Sequence, residues 1–195
     1  MHGFLWTDGV TRRDDSLWAA GSLGALLAVC GVGLLAGIAS AHVRLHLGLP
    51  GHKAVLWMTP VIAARLLFRS RVGATGGTLA ATFASMASGG PLGAAAAGLP
   101  IAGLAGALLD LGIDFVERHR FGAGWSILLV GLAGAGANVA MLGRRLLWPL
   151  FESHVLVGTG GIGGRLVSYA VFGLLAGLLG AALARVLARR KTLSE

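Results

Sequence analysis

LVSYAVFGLLAGLLGAALARVL (Leu166–Leu187) decides the fold. These 22 residues hold one charge, Arg185 near the far end, and no proline. As a helix they extend about 33 Å, and the hydrocarbon core of a bilayer is about 30 Å thick. A stretch this long, apolar on every side, belongs in lipid and not in the core of a small soluble domain.

Working outward from it, five more apolar blocks appear: Leu17–Ile38, Ala54–Phe68, Gly73–Met86, Leu92–Leu111 and Trp125–Leu142. The second and third of the six are short for a full crossing, so they are expected to be tilted, partly buried by neighbours, or a broken pair. Pro60 and Pro100 fall inside blocks and are expected to kink them. Across all 195 residues the chain is 55% hydrophobic and 12% charged, with a mean hydropathy of +0.79. The fold class that follows is an all-α polytopic membrane protein, a compact bundle of about six transmembrane helices. It forms one membrane domain over residues 1–195, with an N-terminal segment (1–16), the bundle (17–187) and a tail (188–195). No cleavable signal peptide is expected, because the first apolar block is too long for an h-region and follows Arg12 and Arg13. Cys30, the sole cysteine, lies mid-block and excludes a disulfide within the chain.

The net charge of +8 is a topology signal here, and nucleic acid is not an expected partner. With the N-terminus cytoplasmic, the inner segments carry ten cations: Arg12, Arg13, Arg69, Arg71, Arg118, Arg120, Arg185, Arg189, Arg190 and Lys191. The outer segments carry five: Arg44, Lys53, Arg144, Arg145 and Arg165. Both termini are therefore expected in the cytoplasm. Arg65, inside the second block near its cytoplasmic end, is expected to snorkel.

Glycine is abundant, at 33 residues, and often spaced by four: Gly33/Gly37, Gly73/Gly77 and Gly173/Gly177. Small residues at that spacing let helix backbones touch within lipid. Ala20/Gly24 and Gly21/Ala25 open the first block with a flat face. It serves either packing inside the bundle or docking of another membrane subunit.

Several constellations bear on chemistry. HVRLHLGLPGHKAVLWMTP (His42–Pro60) holds His42, His46 and His52 on the outer side, where they read as a lid, a wet loop or a metal cage. Met1-His2 adds a possible N-terminal chelate, but no carboxylate or thiol joins the set. GTGGIGG (Gly158–Gly164) satisfies G-x-G-x-x-G without the strand that a dinucleotide site requires. It reads as a flexible loop, or as an anion site at a helix start beside Arg165.

GALLDLGID (Gly106–Asp114) matches half of the metal-binding motif of CDP-alcohol phosphotransferases. The upstream acidic half is missing, so no enzyme is expected. Asp110, Asp114 and Glu117 read instead as the cytoplasmic end of the fourth helix, paired with Arg118 or with the Arg69/Arg71 loop. Asn138 is an amide deep within the fifth block and must find a partner there. Arg144, Trp148, His154 and Arg165 give the exterior a basic, aromatic edge, suited to a small anionic or heteroaromatic solute or to lipid headgroups.

The layout resembles the substrate-binding S components of energy-coupling-factor (ECF) vitamin transporters. The resemblance rests on the size, the six blocks and the small residues of the first block. It also rests on LGLPGHKA (Leu47–Ala54), RVGATGGTLAATFASMASGG (Arg71–Gly90) and YAVFGLLAGLLGAALARVLARR (Tyr169–Arg190). It implies a subunit in the cell (inner) membrane that captures a micronutrient outside and needs no cofactor. That subunit docks on a transmembrane coupling subunit driven by an ATPase pair. His42–Lys53 would be the lid; Asn138, Arg144, Trp148, His154 and Arg165, with His46, His52 and Trp57, would line the pocket. Ala20, Gly21, Gly24 and Ala25 would be the docking face. The nickel/cobalt branch of the family begins Met-His, as this chain does, so His2, His42, His46 and His52 stand as metal candidates. The alternative from another class is a membrane scaffold that binds no solute.

Overall fold

The computed structural model describes residues 15–43, 49–89, 92–119, 121–147 and 161–193. They form six α-helices: α1 (Asp15–His42), α2 (Ala54–Phe68), α3 (Gly73–Ala87), α4 (Leu92–His119), α5 (Ala123–Leu147) and α6 (Gly161–Leu193). Among the described residues there is no strand. Each of α1, α4, α5 and α6 runs past the apolar block that marks it, because the helical hydrogen-bond ladder continues into the polar interface. Pro60 and Pro100 lie within α2 and α4, each of which is one continuous helix.

The packing is a closed ring. Around it α1 touches α3, then come α4, α5, α6 and α2, and α2 returns to α1. α2 also touches α3 across the ring. Contacts set the directions. Gly33 meets Gly77 and Gly37 meets Ala81, so α1 and α3 are parallel. Gly51 meets Tyr169 and Gly180 meets Ile62, so the α2 segment runs parallel to α6. Gly134 meets Gly173 while Gly177 meets Val130, so α5 and α6 are antiparallel. The start of α1 and the end of α6 therefore lie at the same end of the bundle as the 69–72 turn, which the charge count assigns to the cytoplasm.

α1, α4, α5 and α6 each contain a segment long and apolar enough to cross a membrane. α2 and α3 have 15 residues each, about 22 Å of helix, which is less than a hydrocarbon core. Their placement explains why. Met58, Val61, Ile62, Ala63, Ala64 and Arg65 on α2 are buried, as are Ala74, Gly77, Thr78, Ala81 and Thr82 on α3. The large hydrophobic side chains left on the surface come chiefly from the four long helices, among them Leu27 and Leu35 of α1, Leu111 of α4, Leu132 of α5 and Val167 of α6. An apolar exterior of this extent is a lipid face, and the chain is a membrane protein. The two short helices are covered by the long ones over much of their surface, while Phe83 of α3 and Phe68 of α2 stay exposed.

Four-residue glycine spacing works inside the bundle. A Cβ on Gly33 or Gly37 would overlap the backbone of α3, and one on Gly177 would lie 2.6 Å from the Val130 oxygen. Gly73 is different. It faces Ser70 and Arg65 and takes no part in the α1–α3 seam, where Gly77 and Ala81 do that work.

Thr78 is fully buried, and its hydroxyl has no hydrogen-bond partner among the described residues. An unmatched buried hydroxyl costs about 1–3 kcal/mol. Thr78→Val, which keeps the branched shape, is therefore expected to raise stability by about 1 kcal/mol. Reversible unfolding in mixed detergent measures it, and a loss of stability would show that the hydroxyl has a partner after all.

Candidate functional site

Polar side chains concentrate at the two ends of the ring. At the cytoplasmic end, Arg65 of α2 is 1% exposed and reaches across the interior to α4. Its Nε donates to Asp110 Oδ1 at 3.0 Å, Nη2 to Asp114 Oδ1 at 2.5 Å and Nη1 to Glu117 Oε1 at 3.4 Å. The carboxylates recur at i, i+4 and i+7, so one face of α4 meets the planar fork of one guanidinium. The expected snorkelling of Arg65 does not occur. A cation held among three carboxylates has no need to seek water. Arg65 is thus a partner of all three acids, in addition to the expected Arg69/Arg71 loop, from which Arg69 also interacts with Glu117. Arg69, left-handed at φ 52°, closes α2 by donating its N–H to the Arg65 carbonyl. Burial lowers the pKa of its guanidinium, and Glu117 partly opposes that shift.

Asp110 has a second task. Val72, at the N-cap of α3, makes no side-chain capping bond. The Asp110 carboxylate takes over, accepting from the N–H groups of Ala74 (3.0 Å) and Thr75 (2.8 Å) and from the Thr75 hydroxyl (2.7 Å). These amides are the second and third of α3, the pair that an N-cap aspartate ordinarily serves. Gly106 makes the reach possible, since a Cβ there would lie 2.5 Å from Thr75 Cα. The Gly-x-x-x-Asp-x-x-x-Asp spacing in GALLDLGID is thus a close-approach glycine, a cap and an ion-pair partner. With all four donors spent on it, Asp110 is a structural carboxylate.

At the outer end, the turn Leu49–Lys53 sits on α6. The Ser168 hydroxyl donates to the Pro50 carbonyl at 2.6 Å. Gly51, at φ +84°, lies against the Tyr169 ring, close enough that a Cβ would be 3.1 Å from Cγ. That conformation and that contact both call for glycine. Asn138 of α5 is 2% exposed and donates from Nδ2 to the Tyr169 carbonyl at 2.8 Å, which ties α5 to the same level of α6. The His52 ring lies edge-on to Phe172, with centroids 6.3 Å apart. Its Nδ1 bonds to the Leu49 carbonyl, while its Nε2 is buried without a partner among the described residues.

The predicted pocket residues divide accordingly. His52 meets the Phe172 ring of α6, and Asn138 bonds the Tyr169 carbonyl of the same helix. Trp57 is half-buried and packs against the hydrophobic core. Arg165 is half-buried on α6, and His42 is exposed at the end of α1. Arg144 belongs to α5, of which only the backbone is described there. His2, His46, Trp148 and His154 lie outside the described residues. Among those described, no group of three or more His, Cys, Asp or Glu residues is placed to hold a metal ion. GTGGIGG is not wholly a loop, since Gly161–Gly164 are the opening turn of α6. On the docking face, Gly24 is exposed with nothing within 4 Å of a notional Cβ, and Ala25 is half-buried. Of Ala20 and Gly21 only the helical backbone is described.

Sequence reasoning missed Arg65 and Asp110 as partners. The available signal was cost, because an arginine inside an apolar helix requires a counter-charge at its own depth. Compared with known proteins, the chain matches no family model, no curated protein and no solved structure.

Proposed function

We propose that this chain is a solute-binding membrane subunit of the energy-coupling-factor type. In this reading it captures a small micronutrient at its outer face and has no enzymatic activity of its own. It works with a transmembrane coupling subunit and an ATPase pair, in the cell membrane. The observation that carries the proposal is the outer turn. Leu49–Lys53 is seated on α6 by a side-chain bond and a glycine contact, and Asn138 ties α5 in beneath it. A short turn held by so few contacts opens at low cost, as a solute gate requires. A guest drives closure by as much as it binds the closed form better than the open one.

Native mass spectrometry of gently purified protein tests the proposal. A copurified small molecule is expected. Repeated isolation free of any small molecule favours the non-transporting scaffold.

The open face at Gly24 supports the docking part of the proposal. Leu23 and Leu27 beside it are also exposed. A Cβ at Gly24 meets nothing within 4 Å among the described residues, so thermal stability of Gly24→Leu is expected to stay within about 0.5 kcal/mol of wild type. Copurification of the coupling subunit is expected to fall at least tenfold. Unchanged copurification would remove Gly24 from the interface.

A further inference from the structure

α4 has a second face, away from its three carboxylates. Leu104, Leu108, Leu111, Phe115 and Arg118 are all exposed, and at helical spacing they fall within an arc of about 80°. The stripe is apolar until its last member. From Leu104 to Arg118 the helix rises about 21 Å, close to one bilayer leaflet with its headgroups, about 20–22 Å. The apolar spans end at His119 on α4 and begin at Ala123 on α5, so Arg118 stands at the water boundary of the cytoplasmic end. Asp114 and Glu117 turn inward to Arg65, and Arg118 makes no ion pair among the described residues.

Beside Arg118 the aromatic rings are held in order. His119 Nδ1 donates to the Phe115 carbonyl at 2.9 Å, and the two ring centroids lie 4.2 Å apart. The Phe121 ring joins both, stacked on His119 at 5.7 Å and 5.8 Å from Phe115. The hydroxyl of buried Ser126 donates to the Phe121 carbonyl at 3.1 Å, which fixes the turn that carries the ring. Trp125, 65% exposed, follows in the first turn of α5. Exposed rings at the end of two membrane spans suit the level of the lipid headgroups.

We propose that the Leu104–Arg118 face of α4, with this ring cluster, is a binding site for one anionic phospholipid of the cytoplasmic leaflet. An acyl chain lies along the three leucines, the glycerol backbone rests against Phe115, and Arg118 donates to the phosphate. A cation without a counter-charge in the protein is there complemented by the lipid. A zwitterionic lipid carries its own cation beside the phosphate and gains less.

Native mass spectrometry tests the site on the full-length protein, released from micelles holding equal amounts of palmitoyl-oleoyl phosphatidylglycerol and phosphatidylcholine. The wild type is expected to retain phosphatidylglycerol in preference. Arg118→Gln is expected to lower bound phosphatidylglycerol about fivefold and leave bound phosphatidylcholine unchanged. Phe115→Ala, at an exposed position, is expected to lower both lipids about two- to tenfold. Arg71→Gln removes an equal, exposed charge from the same end and is expected to stay within about twofold of wild type. Inorganic phosphate in excess is expected to displace neither lipid. Equal losses in R71Q and R118Q would overturn the proposal, because a diffuse field would then hold the lipid. So would retention of the two lipids in equal measure, or displacement by inorganic phosphate, which would make the site one for a soluble anion. A protein dimer that disappears in F115A, with no lipid retained by the wild type, would assign the face to a second copy of the chain and overturn it too.

Discussion

Arg65→Ala is expected to destabilise the bundle by about 3–5 kcal/mol, the usual loss when one partner of a buried ion pair is deleted. The guanidinium is 1% exposed and serves three carboxylates. Without it, Asp110, itself 6% exposed, keeps only the amides and hydroxyl at the start of α3. Asp114 and Glu117 then lose the guanidinium that joins them to Asp110, and only Glu117 keeps a cation nearby, Arg69. Arg65→Lys is expected to recover little, because one ammonium cannot reproduce a planar fork. Adding Asp114→Asn and Glu117→Gln to an Arg65→Met chain is expected to restore more than half of the loss, since it removes the stranded charges while sparing the Asp110 cap. Reversible unfolding in mixed detergent measures all three. Arg65→Ala within about 1 kcal/mol of wild type would mean that the arginine reaches water and that the clasp is incidental.

The sequence made the bundle legible and left the clasp hidden, for one physical reason. Apolar length is a local property, so Leu166–Leu187 announces a membrane helix without reference to any neighbour. Ion pairing is not local. Asp110 is 45 residues from Arg65, and only the ring order brings α2 opposite α4. In the sequence Asp110, Asp114 and Glu117 stand at the end of one helix, where Arg69, Arg71 and Arg118 all compete for them. Burial decides the competition, because a guanidinium already inside the bundle has most to gain from a counter-charge. The same contrast holds at the outer end. A loop between α1 and α2 was readable from its glycine and proline. The partners that seat it, Ser168 and Tyr169, are more than 100 residues away, and only α2–α6 packing places them there. Asn138 was expected to need a partner. That the partner is the Tyr169 carbonyl follows from the antiparallel α5–α6 seam.

That seam carries the second large prediction. Lipid tails are as apolar as leucine, so helices in a bilayer associate through close packing and not through hydrophobic exclusion. At Gly173 the packing is backbone on backbone. A Cβ there would overlap the Gly134 oxygen and lie 2.7 Å from Asn138 Cβ and 2.9 Å from Ala135 Cα. None of these is the end of a flexible side chain, so the helices must separate. Separation also stretches the bond from Asn138 to Tyr169. Gly173→Ala is expected to cost about 1–3 kcal/mol, the usual penalty for overpacking, and the larger Gly173→Val more. Helix propensity alone predicts the opposite, a gain of up to about 1 kcal/mol for glycine to alanine within a helix. Gly136, on the same helix as Gly134, has nothing within 4 Å of its notional Cβ. Gly136→Ala is therefore expected to stabilise where Gly173→Ala destabilises. Unfolding of the two variants side by side in mixed detergent reads the sign directly. If both gained stability, α5 and α6 would not be in backbone contact, and the ring that sets Tyr169 beneath the outer turn would have to be redrawn.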